Sequence, residues 1–532
     1  MATLNKAPYV LPLVLILFAL AVGGGESTFA ERAQSLVGLA VMIGIGLAFS
    51  YNRHLVDWQL VSWGVSLQII FGILVLRTPP GGWFFDKLKD FFNQVLAFTD
   101  EGSAFLFGVI VDPIRMGRVM DLPPIQSLTR PEELQAHVQM IQHPSFGVLF
   151  AFKILPSIIF FSSLMAVLYY LEIVQKVVYA MAWAMQRTMG TSGAESLSAA
   201  ANVFVGQTEA PLVVKPFVER MTVSELMALM TGGMATVAGG VLAAYVGMGL
   251  NAAHLLTASV MSAPAALLIG KIMVPETEES ETKGEVKMDI PQIDANVIDA
   301  AARGAGEGLT LAMNVGAMLL AFIALVAMIN HGIGIIDGWI DHGMGIEEGS
   351  RWKYSLSLLV AAAAMLRYQI SSGSSVTRVA VTGALGFVLV ILPYWSGALT
   401  VFGRGIFPSS LQGLCGYLFA PLAWIMGVPR ADMYHIGSLL GMKTVLNEFV
   451  AYQQLGDMMA AGSGIVLDKR SIIIATYALC GFANFGSIAI QIGGIGSIAP
   501  SRRQDLARLG MYSLIGGTLA AFMTATVAGL LL

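Results

Sequence analysis

Two short polar runs interrupt an otherwise apolar chain. "GQTEAP" sets Gln207, Thr208 and Glu209 in a row before Pro211, and "VLNEFVAY" sets Asn447 beside Glu448. A third stretch, "GFANFGSIAI", adds Phe482, Asn484 and Ser487. An ionisable residue inside a membrane span costs about 2.5–3.5 kcal/mol on insertion scales and marks a site by default. The chemistry of the set is specific. A carboxylate accepts from two neighbouring hydroxyls, an amide both donates and accepts, and a phenyl ring packs on a flat face. No basic residue adjoins either run, so a phosphate or carboxylate ligand lacks the guanidinium or ammonium it calls for. A neutral solute with hydroxyls and amide-like edges fits, and nucleosides have these features. The structural alternative is a carboxylate paired with a base to lock two helices; Lys443, five residues before Glu448, is its candidate partner.

A second constellation lies close by. Asn202 precedes Gln207 by five residues, and Thr236 falls in a glycine-rich helix, "GGMATVAGGVLAAY". Side-chain oxygens joined by carbonyls freed at a helix break form a Na⁺ site. The competing use of such an asparagine is a hydrogen bond to a neighbouring helix.

These residues need a scaffold, and composition says what kind. Of 532 residues, 56% are hydrophobic and 12% charged, against about 25% charged in a soluble chain. Apolar stretches of about 20 residues recur, the length of a bilayer-spanning helix, while the alternation of an outer-membrane barrel is absent. The fold class is therefore an all-α polytopic membrane protein embedded in a lipid bilayer. The net charge of −4 comes without a basic patch with interleaved aromatics, which excludes nucleic acid as a partner. Cys415 and Cys480 lie in apolar segments and read as packed hydrophobes, not a disulfide.

Spans are expected near 34–50, 58–76, 147–171, 224–246, 252–273, 309–330, 407–427, 471–497 and 507–531, with two more near 352–366 and 379–402. A short N-terminal stretch at 8–22 reads as a retained helix in preference to a signal peptide. "WFFDKLKDFFNQVLAF" (83–98) reads as an interfacial amphipathic helix. The stretches 121–144 and 275–289 read as polar loops. Segments 192–218 and 432–455 carry a carboxylate where a span would have its centre, and each precedes a span with small polar residues at its midpoint. This predicts an internal repeat: two re-entrant helical hairpins, each followed by an interrupted transmembrane helix. Inverted repeats of this kind build secondary transporters with a midplane site.

Basic residues orient the repeat. Arg187, Lys215 and Arg220 flank the first hairpin, and Arg502, Arg503 and Arg508 lie between the last two spans. By the positive-inside rule both places are cytoplasmic, and counting back puts the ends of the second hairpin outside. Lys469 and Arg470 then oppose the rule. The units expected are an extra N-terminal helix at 1–33, scaffold helices at 34–191 and a first transport repeat at 192–273. A loop and scaffold helix at 274–330, an insertion with two further spans at 331–406, and a second transport repeat at 407–532 follow. Enzyme chemistry is not expected: there is no HExxH zinc motif, no Walker A lysine and no pair of intramembrane aspartates. A passive channel would need a continuous polar stripe along several helices, whereas these polar residues cluster at one depth. A nucleoside sensor would need a signalling domain, and none is visible.

Four stretches resemble the concentrative nucleoside transporter family: "NVFVGQTEAPLVVKPF" (202–217), "NVIDAAARGAGEGLTLAMNVGAMLLAFIAL" (296–325), "GMKTVLNEFVAY" (441–452) and "CGFANFGSIAIQIGGIGSIAPSRR" (480–503). The resemblance covers about 34–330 and 407–532 and implies a homotrimer in a bacterial inner membrane that imports nucleosides by ion symport. It implies that Gln207, Thr208 and Glu209 face the nucleobase, that Val241 and Phe482 pack on it and that Leu311 touches it. Glu448, Asn484 and Ser487 would hold the ribose. Na⁺ would lie among the side chains of Asn202 and Thr236 and the carbonyls of Val205 and Val237. The "GQTEAP" form is similar to sodium-coupled members, with a proton-coupled symporter as the alternative. Thr236 stands where a serine is usual and keeps the hydroxyl. Gly486 stands where a serine is common, which bears on base preference.

Overall fold

The computed structural model describes residues 7–22, 27–107, 150–284, 294–344, 410–460 and 464–532. Every regular element among them is helical. The expected loop at 121–144 and the spans near 352–366 and 379–402 lie outside the described residues.

Helices begin where the sequence supplies caps. Thr28, Ser192 and Thr222 each accept from the backbone three residues on, where Glu31, Glu195 and Glu225 reach back to complete a capping box. This arrangement satisfies two orphan donors at once. The N-terminal part comprises α1 (Ala7–Val22), α2 (Phe29–Ala48), α3 (Trp58–Arg77) and α4 (Pro79–Phe107). The helix expected at 83–98 is thus 29 residues long, more than the aromatic-rich run suggested. After α5 (Phe150–Tyr170) the chain turns by 74° at Glu172, whose φ is +59°, into α6 (Ile173–Met189). The sequence pattern gave no element at 172–191.

The two polar hairpins are built alike. The first is α7 (Gly193–Ala201), a tip through residues 202–209, then α8 (Ala210–Val213) and α9 (Lys215–Val218). Pro211 and Pro216 cut its second limb into single turns, because proline lacks an N–H and clashes with the preceding turn. The broken helix α10 (Val223–Ala235) and α11 (Gly239–Gly247) follows, then α12 (Ala252–Met273). The long α13 (Val297–Met344) comes next and packs along α5. At 48 residues it is about 70 Å long, more than twice the expected span. Leu309, Met313, Leu320 and Met328 on it remain exposed. After α14 (Leu411–Ile425) comes the second hairpin, α15 (Met433–Val445) and α16 (Glu448–Met459). The second broken helix is α17 (Lys469–Leu479) and α18 (Phe485–Ile498), and α19 (Arg503–Leu531) completes the order. Hairpin, broken helix and long helix therefore occur twice. α12 and α19 pack against each other at the centre, where most of their residues are buried.

The two breaks meet. Phe482 N–H donates to Thr236 O at 3.2 Å. Gly481, with φ +141°, is required here: a Cβ would fall 2.8 Å from Met234 O and 2.9 Å from Ala235 O. Only glycine combines that φ with so close an approach.

Polar contacts group the helix ends. Arg220 pairs with Glu281 at 2.5 Å, and Arg502 donates to the Glu219 carbonyl at 3.1 Å. The base of the first hairpin, the 276–282 segment and the start of α19 thus share one end of the molecule. The broken helix α17–α18 ends there, so its start, beside the second hairpin, lies at the opposite end. Lys271 forms a buried centre near the first end, 2.8 Å from Glu195 and 3.0 Å from Glu276. Burial pushes the Glu276 carboxyl up, but the charge and hydrogen bond of Lys271 outweigh it and hold the group below its ordinary range. At the other end Arg470 is buried and donates to Gly427 O, Ser27 Oγ, Glu31 O and Ser35 Oγ. It is an internal tie between α17 and α2, not the free loop cation that the positive-inside rule counts.

Candidate functional site

Asn447 and Asn484 cap the helices that carry the site. Asn447 Oδ1 accepts from Val450 N–H at 2.9 Å, and Asn484 Oδ1 accepts from Ser487 N–H at 2.9 Å. Each asparagine, one at the second tip and one at the second break, thus starts a helix whose first turn is fixed by its own side chain, which holds Glu448 and Ser487 at helix N-termini.

A chain of hydrogen bonds then joins both tips through the second break. Gln491 Nε2 donates to Met230 O at 3.0 Å and to Gln207 Oε1 at 3.2 Å. Gln207 Nε2 donates to Ser487 Oγ at 3.1 Å. Asn484 Nδ2 lies 3.5 Å from Glu448 Oε2, and Tyr245 OH donates to Glu448 Oε1 at 3.0 Å. All six side chains are buried. The polar groups of an apolar interior are here spent on one another, as burial requires. Lys443 does not close an ion pair with Glu448: its ammonium donates to Ala478 O at 2.9 Å, near the end of α17.

Glu209 goes elsewhere. Its side chain accepts from Thr208 Oγ1 at 3.0 Å, is exposed, and lines a cavity of about 1030 Å³. Leu311, Val205, Phe204 and Gly240 line the same space, with Tyr169 and Tyr179 from α5 and α6. Arg303 at its wall is held by Asp294 at 2.6 Å and Glu307 at 2.7 Å. Hydrogen bonding to Arg303 keeps the Asp294 carboxyl below its usual range. Val241 is buried on α11, and Phe482 is half-buried at the second break. The expected residues thus form two groups, Gln207, Ser487, Asn484 and Glu448 in the buried chain and Glu209 and Leu311 on the cavity.

The oxygens expected around an ion sit at the first tip and the first break. Gly239 N–H donates to Phe204 O at 3.1 Å and ties the tip to the break. Asn202 is 1% exposed, donates its Nδ2 to Ser198 O, and leaves its Oδ1 without a partner. Among the described residues no hydrogen bond reaches the carbonyl of Val205 or of Val237. Thr236 Oγ1 donates to Gly232 O at 3.0 Å and keeps its lone pairs. Hard oxygen donors, one of them a buried orphan, suit a small cation.

Tyr245 and Gln491 were missed in the sequence. Tyr245 is one aromatic in an apolar helix, and its partner lies 203 residues away. Gln491 did carry a signal, being a lone amide in "SIAIQIGGIGS".

Two hairpins whose polar tips are linked at the breaks of two touching helices define a multi-pass membrane protein of the discontinuous-helix kind. Six described helices, or seven counting the bent α5–α6 pair, are long and apolar enough to cross a membrane. The sequence model described as the C-terminus of Na⁺-dependent nucleoside transporters matches residues 254–366 and 361–529, and the N-terminus model matches 37–110. A model described as nucleoside recognition matches 151–251. An uncharacterized transporter of Haemophilus influenzae is 38% identical over 93% of this chain and 97% of its own length. Solute carrier family 28 member 3 of Eptatretus stoutii is 38% identical over 94% of this chain, which spans 61% of that longer relative. Among solved structures, CNTnw in an inward-facing substrate-bound state aligns with a TM-score of 0.71 at 38% identity, covering 94% of this chain and 98% of that one. A CNTnw variant in an outward-facing state aligns at 0.74 and 37% identity, covering 95% and 98%. The chain belongs to the concentrative, Na⁺-dependent nucleoside transporter family, a family of transporters and not of enzymes.

Proposed function

We propose that this protein imports nucleosides across a bacterial inner membrane by sodium symport and alternating access. The observation that carries the reading is the buried chain from Gln207 to Glu448. It joins both hairpin tips with amide, hydroxyl and carboxylate groups and no cation, the set a neutral polyhydroxylated solute calls for. Gln207, Thr208 and Glu209 would face the base, with Val241, Phe482 and Leu311 against it. Glu448, Asn484 and Ser487 would take the ribose. A nucleoside bound there takes up the donors and acceptors that this chain of hydrogen bonds leaves spare.

Asn202, Thr236 and the carbonyls of Val205 and Val237 would hold Na⁺, which would supply the positive charge that the unpartnered Asn202 Oδ1 lacks. The Phe204–Gly239 hydrogen bond couples that place to the tip carrying Gln207. Ordering the tip prepares half of the substrate site, and each ligand then favours the binding of the other. Residues 192–273 and 407–532 would move together as the transport unit against scaffold helices in 34–191 and 274–330. The exposed apolar face of α13 is available for lipid or for two further copies in a homotrimer. Residues 331–406, within which the two family matches meet, would add two spans outside that unit.

Radiolabelled uridine uptake into proteoliposomes tests the reading. A sodium gradient should drive accumulation. Equal uptake without sodium under a proton gradient would replace Na⁺ with H⁺. Equilibration without accumulation under either gradient would make the protein a passive channel.

A further inference from the structure

The amide chain has a fixed polarity, set by a group that cannot turn over. Met230 O only accepts, so the Gln491 amide must direct its Nε2 towards it, at 3.0 Å. The second N–H on that nitrogen meets Gln207 at 3.2 Å, and only an oxygen is tolerated there. Gln207 must therefore present its Nε2 to Ser487 Oγ. The cost is visible in Gln491, which is fully buried with an Oε1 that has no partner. Reversing the amide would set that oxygen against Met230 O. The space for this contact is made by Gly233, where a Cβ would fall 2.5 Å from Gln491 Nε2 and 2.9 Å from Gln207 Cβ.

Resting on the reading that Gln207 faces the base, we propose that Gln491 is a positioning residue that selects for nucleosides with an oxo group at the base edge over those with an amino group. Gln207 has one N–H engaged by Ser487 and one to spare, while its oxygen is held by Gln491. The Ser487 hydroxyl accepts from Gln207 and keeps its own proton for the ribose. Gln207 thus offers the base a donor, and a carbonyl oxygen on the base receives it. An exocyclic amino group brings N–H against N–H. Uridine is therefore preferred to cytidine, and inosine to adenosine.

Two substitutions test this in sodium-driven uptake with all four nucleosides. Gln491→Met removes the donors and frees the Gln207 amide to turn, so the uridine-to-cytidine ratio of kcat/KM should fall about tenfold towards unity. Loss of one discriminating hydrogen bond, about 1.4 kcal/mol, is tenfold. Gln491→Glu, buried and protonated, would donate its hydroxyl proton to Met230 O and accept on the same oxygen from Gln207 Nε2. The Gln207 amide then reverses, and cytidine should be preferred. A purely structural role lowers uptake of all four nucleosides in parallel. Unchanged ratios in either variant that retains uptake overturn the proposal, and so does a wild-type protein indifferent to oxo or amino groups. Absence of any nucleoside uptake by the wild type would instead remove the functional reading on which it rests.

Discussion

Replacing Tyr245 with phenylalanine removes one oxygen and little else. The ring packs against Tyr452 at 4.5 Å between centroids and Phe449 at 5.5 Å, and those contacts survive Tyr245→Phe. What disappears is the 3.0 Å hydrogen bond to Glu448 Oε1. The other side-chain donor to that carboxylate, Asn484 Nδ2, stands at 3.5 Å, at the limit of a useful bond. A hydrogen bond to a charged group is worth about 1.5–3 kcal/mol. If that energy orients Glu448 towards ribose hydroxyls, uridine affinity should fall by about 10- to 100-fold. Isothermal titration of purified protein in sodium buffer reads this directly. 2′,3′-Dideoxyuridine, which has no ribose diol, should lose much less. A Tyr245→Phe protein that binds uridine within twofold of wild type would refute the positioning argument. An equal loss for both ligands would move the effect away from the ribose.

Three further outcomes are expected. Asn202→Ala removes the orphan oxygen, so the rise in melting temperature on replacing choline with sodium should shrink or vanish; an unchanged shift would place the ion elsewhere. Lys271→Met strands the buried Glu195 carboxylate, and loss of one partner of a buried pair costs about 3–5 kcal/mol, read as a lower melting temperature. The Glu276 part of that pairing is present above the ordinary carboxylate range and is lost as pH falls through its depressed value, so wild type should lose stability below that range more steeply than Lys271→Met. Gly481→Ala should destabilise by about 2 kcal/mol or more, since the new Cβ meets both a positive φ and backbone 2.8 Å away; a protein as heat-resistant as wild type would mean that the two breaks separate freely.

Much of this was readable because polar groups stand out against an apolar background. Glu209, Glu448 and Asn484 lie at tips or breaks for the reason they attracted notice: backbone leaves a helix inside a membrane only where polar groups can satisfy it. What escaped was pairing. Nothing near Tyr245 announces Glu448, and Lys443 sits five residues from Glu448 yet donates to Ala478 O. Spacing along one hairpin does not fix which face each side chain takes. The division of the first tip was hidden for the same reason: Gln207 and Glu209 are two residues apart, yet one enters the buried chain and the other faces the cavity. Helix α6 was missed because it is amphipathic and follows a sharp corner at Glu172, so it lacks the unbroken apolar run of a span.

The cavity beside Glu209 has charged walls, and their balance sets which solutes it favours. Arg303, the strongest phosphate receptor there, is already forked between Asp294 and Glu307. Glu172 and Glu209 add negative charge, against Lys176 and Lys215. Four carboxylates stand against three cations, and each Arg303 nitrogen already donates to a carboxylate, so Lys176 and Lys215 are the cations left to an anionic solute. The wall is thus nearly balanced in charge, a surface that suits an uncharged solute and leaves an anion two lysines to hold it.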